Sequence, residues 1–146
     1  MAEGISPVIP LAITSEDGAY GLFKDPLDAV KQNIKMIVLT APGERIFLPT
    51  FGVGLRNFLF ENFNNSTRSL LNQRIRQQIK VYAPYVSINN INIRRAEGVA
   101  DTVDNSMAVT ISYSVPSLRA YEEILDIDVT PSVVNCKTWP RAVSVK

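Results

Sequence analysis

The stretch MAVTISYSV, residues 107–115, alternates strictly between large apolar residues and small or polar ones. Because successive side chains of a β-strand point to opposite faces, this pattern predicts an antiparallel strand with one face in the core. Residues 125–129 show the same alternation. Over residues 86–93 the apolar alternation slips by one position at Asn89-Asn90, which predicts a strand with a β-bulge. The second half of the chain is therefore expected to form consecutive antiparallel strands.

Before residue 84 the apolar residues recur at helical spacing. Asp25 and Pro26 suit the N-cap and the first position of a helix over about residues 26–40. Apolar residues at helical or near-helical spacing predict two further helices, over residues 55–63 and 67–82.

Shorter elements are expected around these helices. An N-terminal hairpin is predicted from residues 8–13 and 20–23, which flank turn-forming residues. A short strand is predicted over residues 44–49. Helices grouped ahead of a run of strands are typical of the α+β class. We expect an antiparallel sheet with an N-terminal hairpin and about three helices packed on one face. The 146 residues suit one domain, residues 1–146.

The composition disfavours several kinds of chemistry. The chain has no histidine and a single cysteine, Cys136, which removes Ser-His-Asp and Cys-His catalysis, the commonest zinc sites and any intrachain disulfide. The net charge of +1 gives no reason to expect nucleic acid as a partner. No apolar run approaches the roughly 20 residues that a membrane span needs. We expect no enzyme activity, no catalytic residue, no cofactor or metal and no membrane partner.

Residues 34–62, IKMIVLTAPGERIFLPTFGVGLRNFLFEN, resemble the sheath-initiator, or baseplate wedge, proteins of contractile phage tails. Members of this family are sometimes labelled lysozymes, and the type VI secretion baseplate has a related component. The family pattern is a helix ending in Leu-x-Thr, a Pro-Gly-Glu-Arg turn, a Pro-x-Phe-Gly step and a Leu-Phe-Glu segment. Here the pattern is carried by Leu39, Thr40, Pro42, Gly43, Glu44, Arg45, Pro49, Phe51, Gly52, Leu59, Phe60 and Glu61. The resemblance covers about residues 5–115, and residues from about 118 look like a C-terminal extension.

The resemblance implies a structural protein that anchors the sheath to the baseplate and templates the first sheath ring. In β-augmentation, an extended arm of the sheath protein would add to an exposed sheet edge. The implied partners are the tail sheath protein and the core-bundle proteins of the baseplate wedge, with several copies around a six-fold baseplate. The implied location is the virion tail baseplate, assembled in the host cytoplasm.

Candidate partner contacts come from the family motif, the strand pattern and the large aromatic residues. They are Glu44, Arg45, Phe51, Gly52, Pro84, Tyr85, Val109, Ile111 and Trp139. The family usually carries Glu-Pro-Arg after the third helix, where this chain has Ala83-Pro84-Tyr85, which leaves room for an aromatic contact through Tyr85. A purely local role in the turn stays open for Glu44 and Arg45.

Other interpretations remain at this stage. A type VI secretion or tailocin baseplate component would share the same pattern. A peptidoglycan hydrolase would need two carboxylates about 5–9.5 Å apart, for which Glu44 and Glu61 are the pair near the motif. A basic face on the third helix suits a solvated surface, an acidic protein or, less well, nucleic acid. That face carries Arg68, Arg74, Arg76 and Lys80, with Arg94 and Arg95 nearby in sequence.

Overall fold

Helix α1, Pro26–Leu39, begins where the sequence predicts it. In the computed structural model, which describes residues 4–11, 13, 20–95, 106–129 and 134–135, the Asp25 carboxylate accepts a hydrogen bond from the Leu27 N–H at 2.9 Å. This bond satisfies one of the free N–H groups at the helix start. The helix ends at Thr40, whose N–H and hydroxyl both donate to the Met36 carbonyl, at 3.1 and 2.7 Å.

Helix α2, Asn65–Tyr82, starts two residues before its predicted first residue. The Asn64 side chain accepts from the Thr67 N–H at 2.8 Å and so caps the first turn. Its apolar stripe is buried and contains Leu71, Ile75 and Ile79. The helix predicted over residues 55–63 is a shorter 3₁₀ helix, Leu55–Phe60.

The strand predicted over residues 44–49 is wrong. Backbone groups of this segment form turns instead: the Gly43 N–H donates to the Pro49 carbonyl at 2.8 Å, and the Leu48 N–H donates to the Arg45 carbonyl at 3.2 Å. These local bonds take the groups that a strand partner would have used.

The main sheet is antiparallel, with strands in the order β3 (Ser87–Arg95), β4 (Met107–Val115), β5 (Ala120–Val129) and β6 (Val134–Asn135). The register of β3 against β4 shifts between Ile88 and Asn90, which confirms the predicted bulge. A second shift, between Tyr113 and Val115, occurs where β4 leads into the connection to β5.

The N-terminal strand pair is present, but both strands are shorter than predicted and the first lies before its predicted residues. Strand β1, Ser6–Pro7, pairs antiparallel with β2, Leu22–Phe23. The first strand was expected over residues 8–13. The side chain of Gln32 on α1 explains the difference, because it accepts from the Ile9 N–H at 2.9 Å and donates to the Pro7 carbonyl at 3.0 Å. A helix side chain therefore replaces a strand partner here.

The core lies between the helices and one face of the main sheet. It combines the stripes of α1 and α2, the 3₁₀ helix and the inward residues of β3, β4 and β5. The α+β prediction, with helices packed on one face of an antiparallel sheet, is confirmed. Among the described residues, no helix has both the length and the hydropathy to cross a bilayer.

Candidate functional site

The family motif forms a closed loop against the end of α1. The loop leaves the helix at Thr40 and returns at Gly52, and two backbone bonds fix its return. The Val53 N–H donates to the Ile37 carbonyl at 3.0 Å, and the Gly54 N–H donates to the Thr40 carbonyl at 2.9 Å. The last carbonyl groups of a helix otherwise lack partners, so the loop and the helix end stabilise each other.

A glycine is required at position 52, where the returning loop comes closest to the backbone of Thr40. Its φ of +101° lies in a region that favours glycine, and a Cβ added there would overlap the carbonyl oxygen of Thr40. Helix α2 holds the same point from the other side: the Gln78 amide accepts from the Gly52 N–H at 2.9 Å and donates to the Thr50 carbonyl at 3.0 Å.

Phe51 anchors the loop to α2. Its ring is buried and meets Tyr82 edge to face, with centroids 4.8 Å apart and planes at 68°. The Arg45 guanidinium lies 4.0 Å from the centre of the Phe51 ring, a cation–π arrangement. The expectation that Phe51 and Gly52 contact a partner needs correction, because both residues are buried and hold the loop in place.

Glu44 and Arg45 have local roles in this fold. The Glu44 carboxylate accepts from the Ala41 N–H at 2.8 Å, immediately after α1, while Arg45 covers Phe51. Both residues are exposed, so a partner contact at either stays a prediction.

The loop also presents an apolar tip that sequence reasoning missed. We use this name for Ile46, Phe47 and Leu48. Ile46 is 89% exposed and Phe47 is 93% exposed, although the turn bonds described above hold the backbone in place. A large apolar group on a fixed, exposed turn is typical of a binding surface. The signal available in the sequence was an apolar triplet between Pro42-Gly43 and Pro49.

The Ala83-Pro84-Tyr85 segment follows directly from α2. Ala83 is buried, and its N–H donates to the Ile79 carbonyl at 2.8 Å. Pro84 and Tyr85 are exposed, and the Tyr85 hydroxyl accepts from the Asn33 side chain of α1 at 3.3 Å. Contacts of Pro84 and Tyr85 with a partner therefore remain predictions on an accessible surface.

Strand β4, which carries the candidate contacts Val109 and Ile111, is not an edge strand. Strand β4 pairs with β3 on one side and with β5 on the other, so it has no free edge. Val109 is 1% exposed and Ile111 is fully buried. Their proposed contact with a partner is corrected for this reason: both side chains belong to the core. Trp139 lies outside the described residues.

Among the described residues, Glu44 and Glu61, the two carboxylates that a hydrolase would use, have different surroundings. Glu44 is engaged at the loop, as described above, and Glu61 lines a cavity of about 10 Å³ together with residues that include Phe58 and Arg95. Pockets that bind small molecules usually have volumes of about 300–1,000 Å³. The Glu61 cavity has room for about one water molecule.

One buried polar group stands out beneath the sheet. The Tyr113 hydroxyl has no hydrogen-bond partner among the described residues. Burial raises the pKa of the Tyr113 phenol, and the negative charges of Glu123 and Asp28 raise it further. Lys31 forms an ion pair with Glu123 at 3.0 Å. The phenol therefore stays neutral, and nothing in this arrangement activates a nucleophile.

Comparisons with known proteins agree with the motif and the fold. No curated protein matches the sequence. The fold resembles a Geobacter sulfurreducens protein provisionally named a tail lysozyme, with a TM-score of 0.62 and 20% identity over 75% of this chain and 94% of that one. It also resembles a chain of the anti-feeding prophage baseplate, with a TM-score of 0.60 and 22% identity over 75% of this chain and 83% of that one. The sequence model of the family described as baseplate wedge protein gp25 matches residues 24–119. The chain belongs to this baseplate wedge protein family.

Proposed function

We propose that this baseplate wedge protein anchors the tail sheath and templates the first sheath ring by accepting a strand from the sheath protein. The observation that carries the proposal is the outer edge of β3. This nine-residue strand, Ser87–Arg95, pairs with β4 on one side, and no strand among the described residues pairs with its other side. An extended arm could add there through main-chain hydrogen bonds.

The side chains of β3 suit an edge that must wait for its partner. The residues that face away from the core are polar or basic, and they include Asn90, Asn92 and Arg94. Charged and polar edge strands resist pairing with other copies of the same protein. A sheath arm would then be selected by the side chains that alternate along it.

The surface for the wedge core-bundle proteins is proposed at the C-terminal end of α2. The motif loop meets this end through the Phe51–Tyr82 contact and through a bond of 3.2 Å between the Thr50 and Tyr82 hydroxyl groups. The exposed apolar tip belongs to this loop, and Pro84 and Tyr85 follow the helix. Exposed aromatic side chains are frequent anchors of interfaces. Several copies would occupy a six-fold baseplate of a virion or of a related contractile system.

A seeded assembly assay tests sheath templating. Purified sheath protein is incubated with the wild-type chain, and polymer formation is followed by light scattering and electron microscopy. Proline then replaces Arg94 or Arg95 in turn. Because consecutive strand residues direct their N–H groups to opposite edges, one substitution removes an outward donor and the other removes a donor toward β4.

Each proline variant serves as the control for the other, because both lose one arginine charge at neighbouring positions of β3. We expect the wild type to shorten the lag of sheath assembly, and the well-folded outward variant to lose this effect. Seeding at the wild-type rate by both folded variants would contradict strand addition at this end of β3.

We also propose that the protein has no hydrolytic function. Support comes from the engagement of Glu44 at the loop and from the small volume beside Glu61. Muralytic activity on peptidoglycan is measured for the wild type and for Glu44→Gln and Glu61→Gln. Cleavage by the wild type that either substitution abolishes would contradict the proposal.

A further inference from the structure

Three exposed arginine side chains lie over phenylalanine rings of the segment that joins α1 to α2. The distances from the guanidinium carbon to the ring centre lie between 4.0 and 6.0 Å. The pairs are Arg45 with Phe51, Arg68 with Phe63 and Arg74 with Phe58. We call these three arginines the arginine row. We propose that the arginine row binds an acidic, amphipathic helix of a partner protein.

The contacts with the rings leave the arginine row able to bind an anion. A cation–π contact uses no carboxylate, so the guanidinium N–H groups that point away from the ring remain available as donors. Within the part of the chain that the structure describes, no member of the row forms an ion pair. The rings also hold the guanidinium groups in place, which reduces the side-chain freedom lost when a carboxylate binds.

The charge around the arginine row favours an acidic partner. Residues 43–82 contain six basic and two acidic residues, which gives a net charge of +4, although the whole chain has a net charge of only +1. Helix α2 contributes four of the basic residues and no acidic one. One of the two carboxylates, that of Glu44, already accepts from the Ala41 N–H. A surface with one sign of charge attracts and orients a partner of the opposite sign.

The spacing of the arginine row suits a helix that lies along α2. Because a helix rises about 1.5 Å per residue, Arg68 and Arg74 are about 9 Å apart along the axis of α2. Arg45 lies near the level of Tyr82, since Phe51 contacts both residues, and Tyr82 follows Arg74 by about 12 Å. A partner helix returns to the same face every seven residues, in steps of about 10.5 Å. Glutamates at this interval could reach successive members of the row.

Exposed apolar side chains beside the row indicate a protein partner. Leu70 precedes Arg74 by one helical turn and Val81 follows it by two, so both lie on the same side of α2 as Arg74. Leu70 is 55% exposed and Val81 is 60% exposed. The apolar face of an amphipathic helix could cover both. Single-stranded nucleic acid suits the row less well, because it stacks bases on aromatic rings, and each ring of the three pairs already has a guanidinium over it.

Fluorescence anisotropy of the full chain with synthetic helical peptides tests this proposal, which does not rest on sheath templating. The acidic peptide has three heptads, each with one glutamate and flanking leucines, and the matched peptide has glutamine in place of each glutamate. The protein variants are Arg68→Gln, Arg74→Gln and, as the control, Arg76→Gln. Arg76 lies on the opposite side of α2 from Arg74, because two residues turn a helix by about 200°. The control therefore loses the same charge from the same helix but outside the row.

We expect the acidic peptide to bind the wild type, and the glutamine peptide to bind at least about tenfold more weakly. Arg68→Gln and Arg74→Gln, once thermal unfolding has shown that they fold, should each weaken binding of the acidic peptide about fivefold, and Arg76→Gln less than about twofold. The comparison of the two peptides leaves the protein unchanged, so it remains decisive if a variant does not fold.

Three results would overturn the proposal. The first is equal binding of the two peptides, or no binding of the acidic one. The second is an equal loss of binding in Arg74→Gln and Arg76→Gln. The third is tighter binding of a single-stranded DNA oligonucleotide that Arg68→Gln and Arg74→Gln weaken, since it would assign the row to phosphate groups.

Discussion

Replacing Gly52 by alanine should destabilise the fold far more than the same change at Gly43. Both glycines have positive φ, +101° and +87°, so alanine is strained at either position by about 1–2 kcal/mol. A Cβ at Gly43 meets nothing within 4 Å, whereas one at Gly52 overlaps the Thr40 carbonyl oxygen and lies 2.9 Å from its carbon. The Thr40 carbonyl must then move and weaken its bond from Gly54. This adds about 2 kcal/mol, for a total of about 3–4 kcal/mol at Gly52.

Urea unfolding followed by far-UV circular dichroism measures the difference. Gly43→Ala is the matched control, because it carries the conformational strain without the collision. We expect Gly52→Ala to lower the free energy of unfolding by about 2 kcal/mol more than Gly43→Ala, at unchanged m-value. In thermal unfolding the extra loss corresponds to about 4–8 °C in Tm. Equal losses in the two variants would refute the steric account of the motif glycine.

Three further outcomes are expected. Tyr113→Phe should raise the free energy of unfolding by about 1 kcal/mol in urea melts at pH 7, because it removes a buried hydroxyl without a described partner; a loss of stability would refute this. Above pH 10 the phenol of Tyr113 releases its proton in the unfolded chain, where its pKa is the ordinary 10.0, before it does so in the folded protein. The free energy of unfolding of the wild type should therefore fall by up to about 1.4 kcal/mol per pH unit relative to Tyr113→Phe. Parallel pH profiles of the two proteins would contradict the raised pKa. Gln78→Ala should lower the free energy of unfolding by about 2 kcal/mol, because it leaves the Gly52 N–H and the Thr50 carbonyl without this partner. Gln77→Ala, on the exposed face of α2, should change this free energy little. Equal effects in the two urea melts would argue against a stabilising link through Gln78.

The regular elements were predictable because local patterns determine them. The alternation over Met107–Val115 matches β4, and the Asp25-Pro26 signal marks the first residue of α1. The doubled asparagine correctly indicated the bulge in β3. In each case the residues within the element itself carry the signal, so no distant contact is needed to explain the structure.

The errors concern positions where distant contacts decide the structure. Residues 44–49 contain enough apolar side chains for a strand, but local backbone bonds turn this segment, and the loop that carries it is held at Gly52 by the end of α1 and by Gln78 of α2. The order of strands in a sheet is not contained in the alternation of any one strand. This is why Val109 and Ile111 were chosen as candidate partner contacts although β4 is central. The apolar tip was missed because periodicity says nothing about exposed turns.

Hydrogen exchange of the full chain, with and without the sheath protein, tests the central claim most directly. Amides that gain a strand partner exchange more slowly, and the central strand β4 serves as an internal reference. We expect slower exchange within Ser87–Arg95 when the sheath protein binds, with little change in Met107–Val115. Sheath binding that leaves the exchange of Ser87–Arg95 unchanged would contradict strand addition at β3.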